Sequence, residues 1–296
     1  MVLPVAMALA LVFHGFFGRL YFLAPYLVFT MLFISYTAIN FREMRPKWMD
    51  FWLMVFQIFF CFLSYGVGRW LLNSEALAKG MYIIALTPVA ASSVVVSCAL
   101  GARRETVTTF TILNNLMVAV VAPVLFALLG QSSDKSILQN MLVIFARIAP
   151  QIVLPFFAAL FLHYMVPKVN EAISSMKGVT LYVWAFTLTV VLGKTFHGII
   201  INPDKQWGLM ALMFGICIVQ CTILFWVGKK IGTHYGDKMA GGQELGQKNT
   251  SFGIWMANTF FLDPMTGLPM AFYSICQNIF NSWQMYDHDR KHLPET

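Results

Sequence analysis

One carboxylate and one amine stand four residues apart in a chain that is otherwise largely apolar. They are Glu244 and Lys248, in the stretch GGQELGQKNTSFGIW that runs from Gly241 to Trp255. At that spacing they would face one another on a continuous helix and could neutralise each other. Gln243, Gln247 and Asn249 crowd around them, which is more polar capacity than an ion pair requires. Gly246 lies between the two charges and weakens a helix there by about 1 kcal/mol relative to alanine. Two readings stand: a buried pair that fastens one helix to its neighbours, or a cation site in an interrupted helix. In the second, exposed carbonyls and a helix C-terminus hold the cation, and the opposing half-helix N-terminus faces an anion. The density of amides favours the interrupted helix.

The elements that would position such a cluster are membrane helices. The chain has 296 residues, 58% hydrophobic and 11% charged, with a mean hydropathy of +0.69. An ordinary soluble domain carries about a quarter charged residues, so this composition excludes a soluble globular fold. Ten apolar windows recur along the chain, nine of them long enough for the roughly 18–20 residues that a bilayer crossing needs and the first shorter. They fall near 2–17, 20–41, 50–72, 77–99, 106–130, 137–164, 179–201, 207–228, 236–262 and 264–286. The first has no basic segment before it and no small-residue cleavage site after it, so it reads as a span rather than a leader.

The net charge of +7 is a topology signal and not a nucleic-acid footprint. Loops after even-numbered spans hold twelve Lys and Arg residues and loops after odd-numbered spans hold five, Arg19 among them. That bias puts both termini in the cytoplasm of a bacterial inner or cell membrane. The five cysteines lie inside spans without metal-ligand spacing and read as small apolar residues. No cofactor is expected.

Ten spans divide into five and five, and a duplicated odd-numbered unit must sit inverted in the membrane. The fourth span, MYIIALTPVAASSVVVSCAL, carries Pro88 with Ser92, Ser93 and Ser97 behind it. A plain proline kink and a true interruption both fit this stretch. Two further cations lie inside spans, Arg147 in the sixth and Lys194 in the seventh. A charge at the bilayer centre costs about 2.5–3.5 kcal/mol on insertion scales. Either residue therefore snorkels to the interface or serves a substrate or a gate.

These residues resemble the bile acid:sodium symporters. That family's ninth span carries Glu-x-Gly-x-Gln-Asn, which stands here as ELGQKNT, Glu244 to Thr250, with PMAFYSICQNIF downstream. Its fourth-span Cys-Pro-Gly-Gly and Ser-Asn pair correspond to TPVAASSVV, Thr87 to Val95, followed by TILNNLMVAVVAP in the fifth span. The resemblance implies an all-α integral membrane protein of ten transmembrane helices. These form a 5+5 inverted repeat, about 1–132 and 133–296 of a single membrane domain, with core and panel parts. Helices 4 and 9 would be discontinuous and crossing. It also implies a secondary active transporter of an organic anion, bile-acid-like or a small carboxylate or sulfonate, working by alternating access with sodium as coupling ion.

Carried over by position, the first sodium site would use Ser93, Thr111 and Glu244, with Val94 and Val107 where the family has oxygen ligands. The second would use Gln57, Glu244 and the backbone at Leu245 and Gln247, with Lys248 where the family has glutamine. The substrate would meet Thr87, Pro88, Ala91, Ser92, Asn249 and Thr250, with Arg147 and Lys194 as further anion-receiving cations. Valine removes an oxygen at each place, and an ammonium repels a neighbouring cation. Lys248 is therefore expected to stand in for the second sodium and to neutralise Glu244, leaving transport sodium-independent or proton-coupled.

Other classes find less support. The chain has no Gly-x-Ser-x-Gly, no His-Glu-x-x-His and no paired aspartates within spans, so it is not read as an enzyme. His197 stands three residues from Lys194, close enough to share a helix face with it. A non-transporting receptor or sensor on the same scaffold is the alternative that the missing sodium ligands keep open. The expected partners are a small organic anion and the lipid bilayer, with no nucleic acid; the sequence leaves the oligomeric state undetermined.

Overall fold

The computed structural model describes residues 2–90, 92–128, 136–202, 206–261 and 263–292. Among them the chain is helical and forms no strand, as its apolar windows require where a bilayer offers the backbone no water. The helices in chain order are α1 (Val2–Val12), α2 (His14–Arg19), α3 (Ala24–Thr37), α4 (Trp48–Gly66) and α5 (Glu75–Leu86). Then come α6 (Ser93–Ala99), α7 (Arg104–Leu128), α8 (Ile137–Met165), α9 (Pro167–Ser175) and α10 (Lys177–Ile201). The last four are α11 (Trp207–His234), α12 (Lys238–Gly246), α13 (Thr250–Phe260) and α14 (Leu268–His292).

Six helical runs among the described residues are long and apolar enough to cross a membrane: His14–Thr37, Trp48–Leu71, Arg104–Leu128, Ile137–Met165, Gly178–Ile201 and Trp207–His234. The fourth and ninth apolar windows are absent from this set because each is broken into two shorter helices. The tenth window forms α14, which is long enough but too polar along one face to qualify.

The N-terminal boundaries differ from those expected. The first helix stops at Val12, and the next run continues from His14 through a 3-10 turn at Leu20–Leu23 to Thr37. Arg19 is therefore inside a helix and not in the loop to which the charge count assigned it. Nothing polar enough to open a turn lies between Phe16 and Leu23, so the helical hydrogen bonds run on past the lone arginine.

The chain gathers into two compact units, each made of two separate segments. The first unit is Met1–Glu43 with Ile112–His197. There α3 packs along α8, with Phe156 meeting Tyr36 and Phe41 edge to face. Asn170 of α9 donates its side-chain amide to the carbonyl of Thr37 at 3.1 Å, closing the C-terminus of α3. His14 and His197 stack, with their Nδ1 atoms 3.0 Å apart.

The second unit is Met44–Thr111 with Gly198–Thr296, and it contains both interrupted helices. Its tightest contact is the hairpin of α11 and α12. A Cβ on Gly228 would meet the carbonyl of Gly241, and one on Gly241 would meet that of Gly228, so the backbones touch only because both are glycine. Gln220 of α11 donates to Ser64 Oγ at 3.0 Å and to the carbonyl of Met81 at 3.2 Å, tying α11 to α4 and α5.

Candidate functional site

Two chain breaks lie side by side in the second unit. The first runs from Thr87 to Ser92, between α5 and α6; the second is Gln247–Asn249, between α12 and α13. Each frees backbone groups that the lost helical turns would have paired, and the two segments pair them with one another. Val89 and Lys248 form an antiparallel bridge. The Ala90 N–H donates to the carbonyl of Gln247 at 2.9 Å, and the Asn249 N–H donates to that of Pro88 at 2.8 Å. In this way neither orphaned strand of backbone faces hydrocarbon.

Side chains serve the C-termini of α5 and α12 and the N-terminus of α13. Gln57 of α4 donates its amide to the carbonyls of Leu86 and Thr87, both at 3.2 Å. Lys248 Nζ donates to the carbonyl of Ala85 at 3.4 Å. The amine thus sits against the last carbonyls of α5, where the helix dipole is negative. On the other break, Tyr273 donates its hydroxyl to the carbonyl of Gly246 at 2.6 Å. Gln277 grips Lys248 by its backbone, accepting from the N–H at 2.9 Å and donating to the carbonyl at 3.1 Å. Asn249 Oδ1 accepts from the Phe252 N–H at 3.3 Å and caps α13.

Glu244 and Lys248 do not form the expected pair. The helix that would have faced them ends at Gly246, so the i, i+4 relation never arises. Both are completely buried. Neither carboxylate oxygen of Glu244 has a hydrogen-bond partner among the described residues, while the amine serves α5. The role given to Gly246 also needs widening. A Cβ there would run into the Phe225 ring, so glycine is demanded by packing as well as by the break.

Of the residues expected to hold cations, Gln57, Ser93, Thr111, Glu244, Leu245, Gln247 and Lys248 all belong to this unit and all are buried. Ser93 Oγ, like Glu244, has no hydrogen-bond partner among the described residues. Thr111 donates to the carbonyl of Val107 at 2.8 Å. Gln247 donates to Ser92 Oγ at 3.2 Å, leaving its amide oxygen unpartnered among the described residues.

Of the residues expected to meet substrate, Thr87, Pro88, Asn249 and Thr250 are buried at the breaks and Ser92 is exposed. Ala91 lies outside the described residues. Thr87 turns its hydroxyl back to the carbonyl of Ile83 at 2.6 Å, and Thr250 donates to Ser274 at 3.2 Å. Asn249 Nδ2 is unpartnered among the described residues. Arg147 and Lys194 belong to the first unit, each exposed on a membrane-length helix.

Three residues of this site were given no role there by the sequence reading. Asp50, in the first turn of α4, is 1% exposed; its Oδ2 accepts from the Lys47 N–H at 2.8 Å and its Oδ1 is unpartnered among the described residues. With Lys47 and Asp237 it is one of the charged groups near enough to act on Glu244. Its place three residues inside a helix start reads as a cap and nothing more. Tyr273 and Gln277 were not assigned there either, and only the side-by-side breaks reveal their service to the backbone.

No curated protein matches the chain. The family that does match is described as the SBF-like CPA transporter family, over residues 7–285. That match covers both units and the whole of the paired breaks, and it agrees with the resemblance carried by ELGQKNT. The chain belongs to the SBF-like CPA transporter family and is an integral membrane protein of a transporter class.

Proposed function

We propose that the chain is a secondary active carrier of an organic anion, with its solute and cation chemistry centred on the paired breaks. The observation that carries this reading is the combination of a fully buried, uncommitted Glu244 with Lys248 seated on the C-terminus of α5. A mobile cation needs an acid that no internal cation already neutralises, and Glu244 meets that condition. Lys248 fills the place where a second cation would be drawn to the α5 carbonyls.

The donors suit one small cation better than two. Glu244 and Ser93 carry oxygens without a hydrogen-bond partner among the described residues, and Val94 and Val107 offer none. On this reading Lys248 is a built-in cation and the carrier uses a proton, or a single sodium, at Glu244. The uncommitted Nδ2 of Asn249, at the start of α13, would receive the carboxylate or sulfonate. Arg147 and Lys194, in the first unit, remain candidate anion-receiving cations. The ten-span inverted repeat and cytoplasmic termini are part of the same proposal.

The test is uptake of labelled carboxylates and sulfonates into proteoliposomes, compared in sodium, potassium and a proton gradient, with binding measured alongside. Accumulation driven by protons or independent of sodium supports the built-in cation, and Lys248→Gln should raise the response to sodium several-fold. Binding without accumulation would make the protein a receptor. A Lys248→Gln variant that is folded, active and unchanged in sodium response would remove the role given to the amine.

A further inference from the structure

We propose that the buried face of α14 is a hydrated route by which the coupling cation reaches Glu244. The inference rests on the carrier reading for the identity of its cargo, but its observations are independent. Ser274, Gln277, Asn281 and Gln284 follow one another at steps of three, four and three residues, which places them in a single line along a helix. Their exposures are 1%, 5%, 6% and 4%. The opposite side of the same helix shows Ile279, Trp283 and Tyr286, each more than half exposed. A helix that turns its apolar side chains outward and its amides inward is inverted relative to one in water, as suits a lipid surface around a polar interior.

The line leads to the site. Ser274 accepts from Thr250 at the start of α13, and Gln277 holds both backbone polar groups of Lys248. Asn281 Oδ1 accepts from Gln243 Nε2 at 3.1 Å, one residue from Glu244. One more step of four beyond Gln284 reaches His288, which is half-buried and lies against Gly101 beyond the end of α6. The four rungs span ten residues, roughly 15 Å of helix.

Amides across helix contacts often act only as fasteners. That accounts for Ser274, Gln277 and Asn281, whose partners are named above. It does not account for Gln284, whose amide nitrogen and oxygen both lack a partner among the described residues, nor for the free Oε1 of Gln243. An amide buried in a membrane protein with neither end served is strongly disfavoured unless water or an ion serves it. Neutral groups that both donate and accept suit a file of water carrying a proton or a small hydrated cation. The file would end at Gln243, beside the acid, and not at the amine, which is engaged with α5.

The experiment places cysteines at Gln284, Asn281 and Ser274, one at a time, in the full chain reconstituted in liposomes. Each is exposed to a charged, membrane-impermeant thiosulfonate, and labelling is read at each position by peptide mass spectrometry. Native Cys221, buried in α11, and Ile279→Cys on the outward face of α14 are the references. The expected result is labelling at 284 and 281 at least tenfold faster than at Cys221, with position 279 inert beneath lipid. Labelling at 284, 281 and 274 no faster than at Cys221, in protein with an unchanged size-exclusion profile, overturns the route. Ser274→Cys is nearly isosteric and carries the test if the amide variants do not fold. Because labelling needs no transported solute, a protein that labels but moves nothing keeps the route and loses the carrier reading, and the reverse result does the opposite.

Discussion

The two chain breaks do the same geometric job with different chemistry. The first, Thr87–Ser92, is made of small and apolar residues around a proline. The short α6 that follows is only half-covered, with Val95 73% exposed. The second, Gln247–Asn249, is polar, three residues long and buried, between two helices that are themselves buried almost throughout. Both breaks supply backbone to the pairing, and the second also sends an amine to a helix end. Lys248, from the second break, crosses to close α5 at the first, and among the described residues no side chain of the first closes a helix end at the second. On the proposed reading, the mobile chemistry belongs to the second break and the frame to the first.

Substitutions at the second break should therefore be the more damaging. The largest effect is expected from Gly246→Ala. A single methyl enters the space of the Phe225 ring, which is itself stacked on Phe280 with centroids 4.4 Å apart and cannot retreat freely. Overpacking of this kind costs about 1–3 kcal/mol, and the stacked neighbour argues for the upper end. Thermal unfolding in detergent, followed by loss of the size-exclusion peak, measures it. An unchanged midpoint would show that the ring yields and that packing does not fix this break.

A smaller loss is expected from Tyr273→Phe. It deletes the hydroxyl on the Gly246 carbonyl and leaves a buried acceptor with one partner fewer, worth about 1–1.5 kcal/mol. The same thermal assay reads it. If this variant falls as far as Gly246→Ala, the carbonyl cap and not the ring contact sets the end of α12, and the contrast between the breaks sharpens in favour of hydrogen bonding.

Several of these features were legible in the residues and others were not, for physical reasons. Composition announced a membrane protein, because no soluble core needs so few charges. The Gly246 amide cluster marked one place where a helix stops, since it offers competing polar groups, whereas Pro88 left a kink and a break open and only the resemblance implied the break. The interruption expected of the Glu244 cluster is present, but the neutralisation of Glu244 by Lys248 was expected from aligned positions, and those do not reveal that the amine turns to the α5 carbonyls. Arg19 was placed in a loop because a charge count assumes that charges mark turns, whereas an isolated arginine among apolar residues leaves the helix intact. Asp50 looked like an ordinary helix cap, and its closeness to Glu244 depends on the packing of α4 against α12. The inward amide line of α14 was written in the spacing of 274, 277, 281 and 284. It becomes meaningful only when burial shows that this face, and not the aromatic one, is inside.

The smallest effect is expected at Pro88, where the sequence allowed both a plain kink and a true interruption. Alanine would restore the missing N–H and allow, in principle, the helix of α5 to continue toward α6. Continuation would sacrifice the bonds from Ala90 N–H to Gln247 and from Asn249 N–H to the carbonyl of residue 88. It would also disturb the carbonyls that Gln57 and Lys248 cap. Those partners lie on other elements and stay in place whatever residue 88 is. The break should therefore persist in Pro88→Ala, with a cost of about 0.4–1 kcal/mol arising from the freer unfolded chain. Thermal unfolding sets the size of the loss, and amide hydrogen exchange at residues 87–92 tells a retained break from a healed helix. A loss above about 2 kcal/mol, or strong new protection across that segment, would mean that proline itself holds the first break open, and the division between a frame and a chemical half would have to be redrawn.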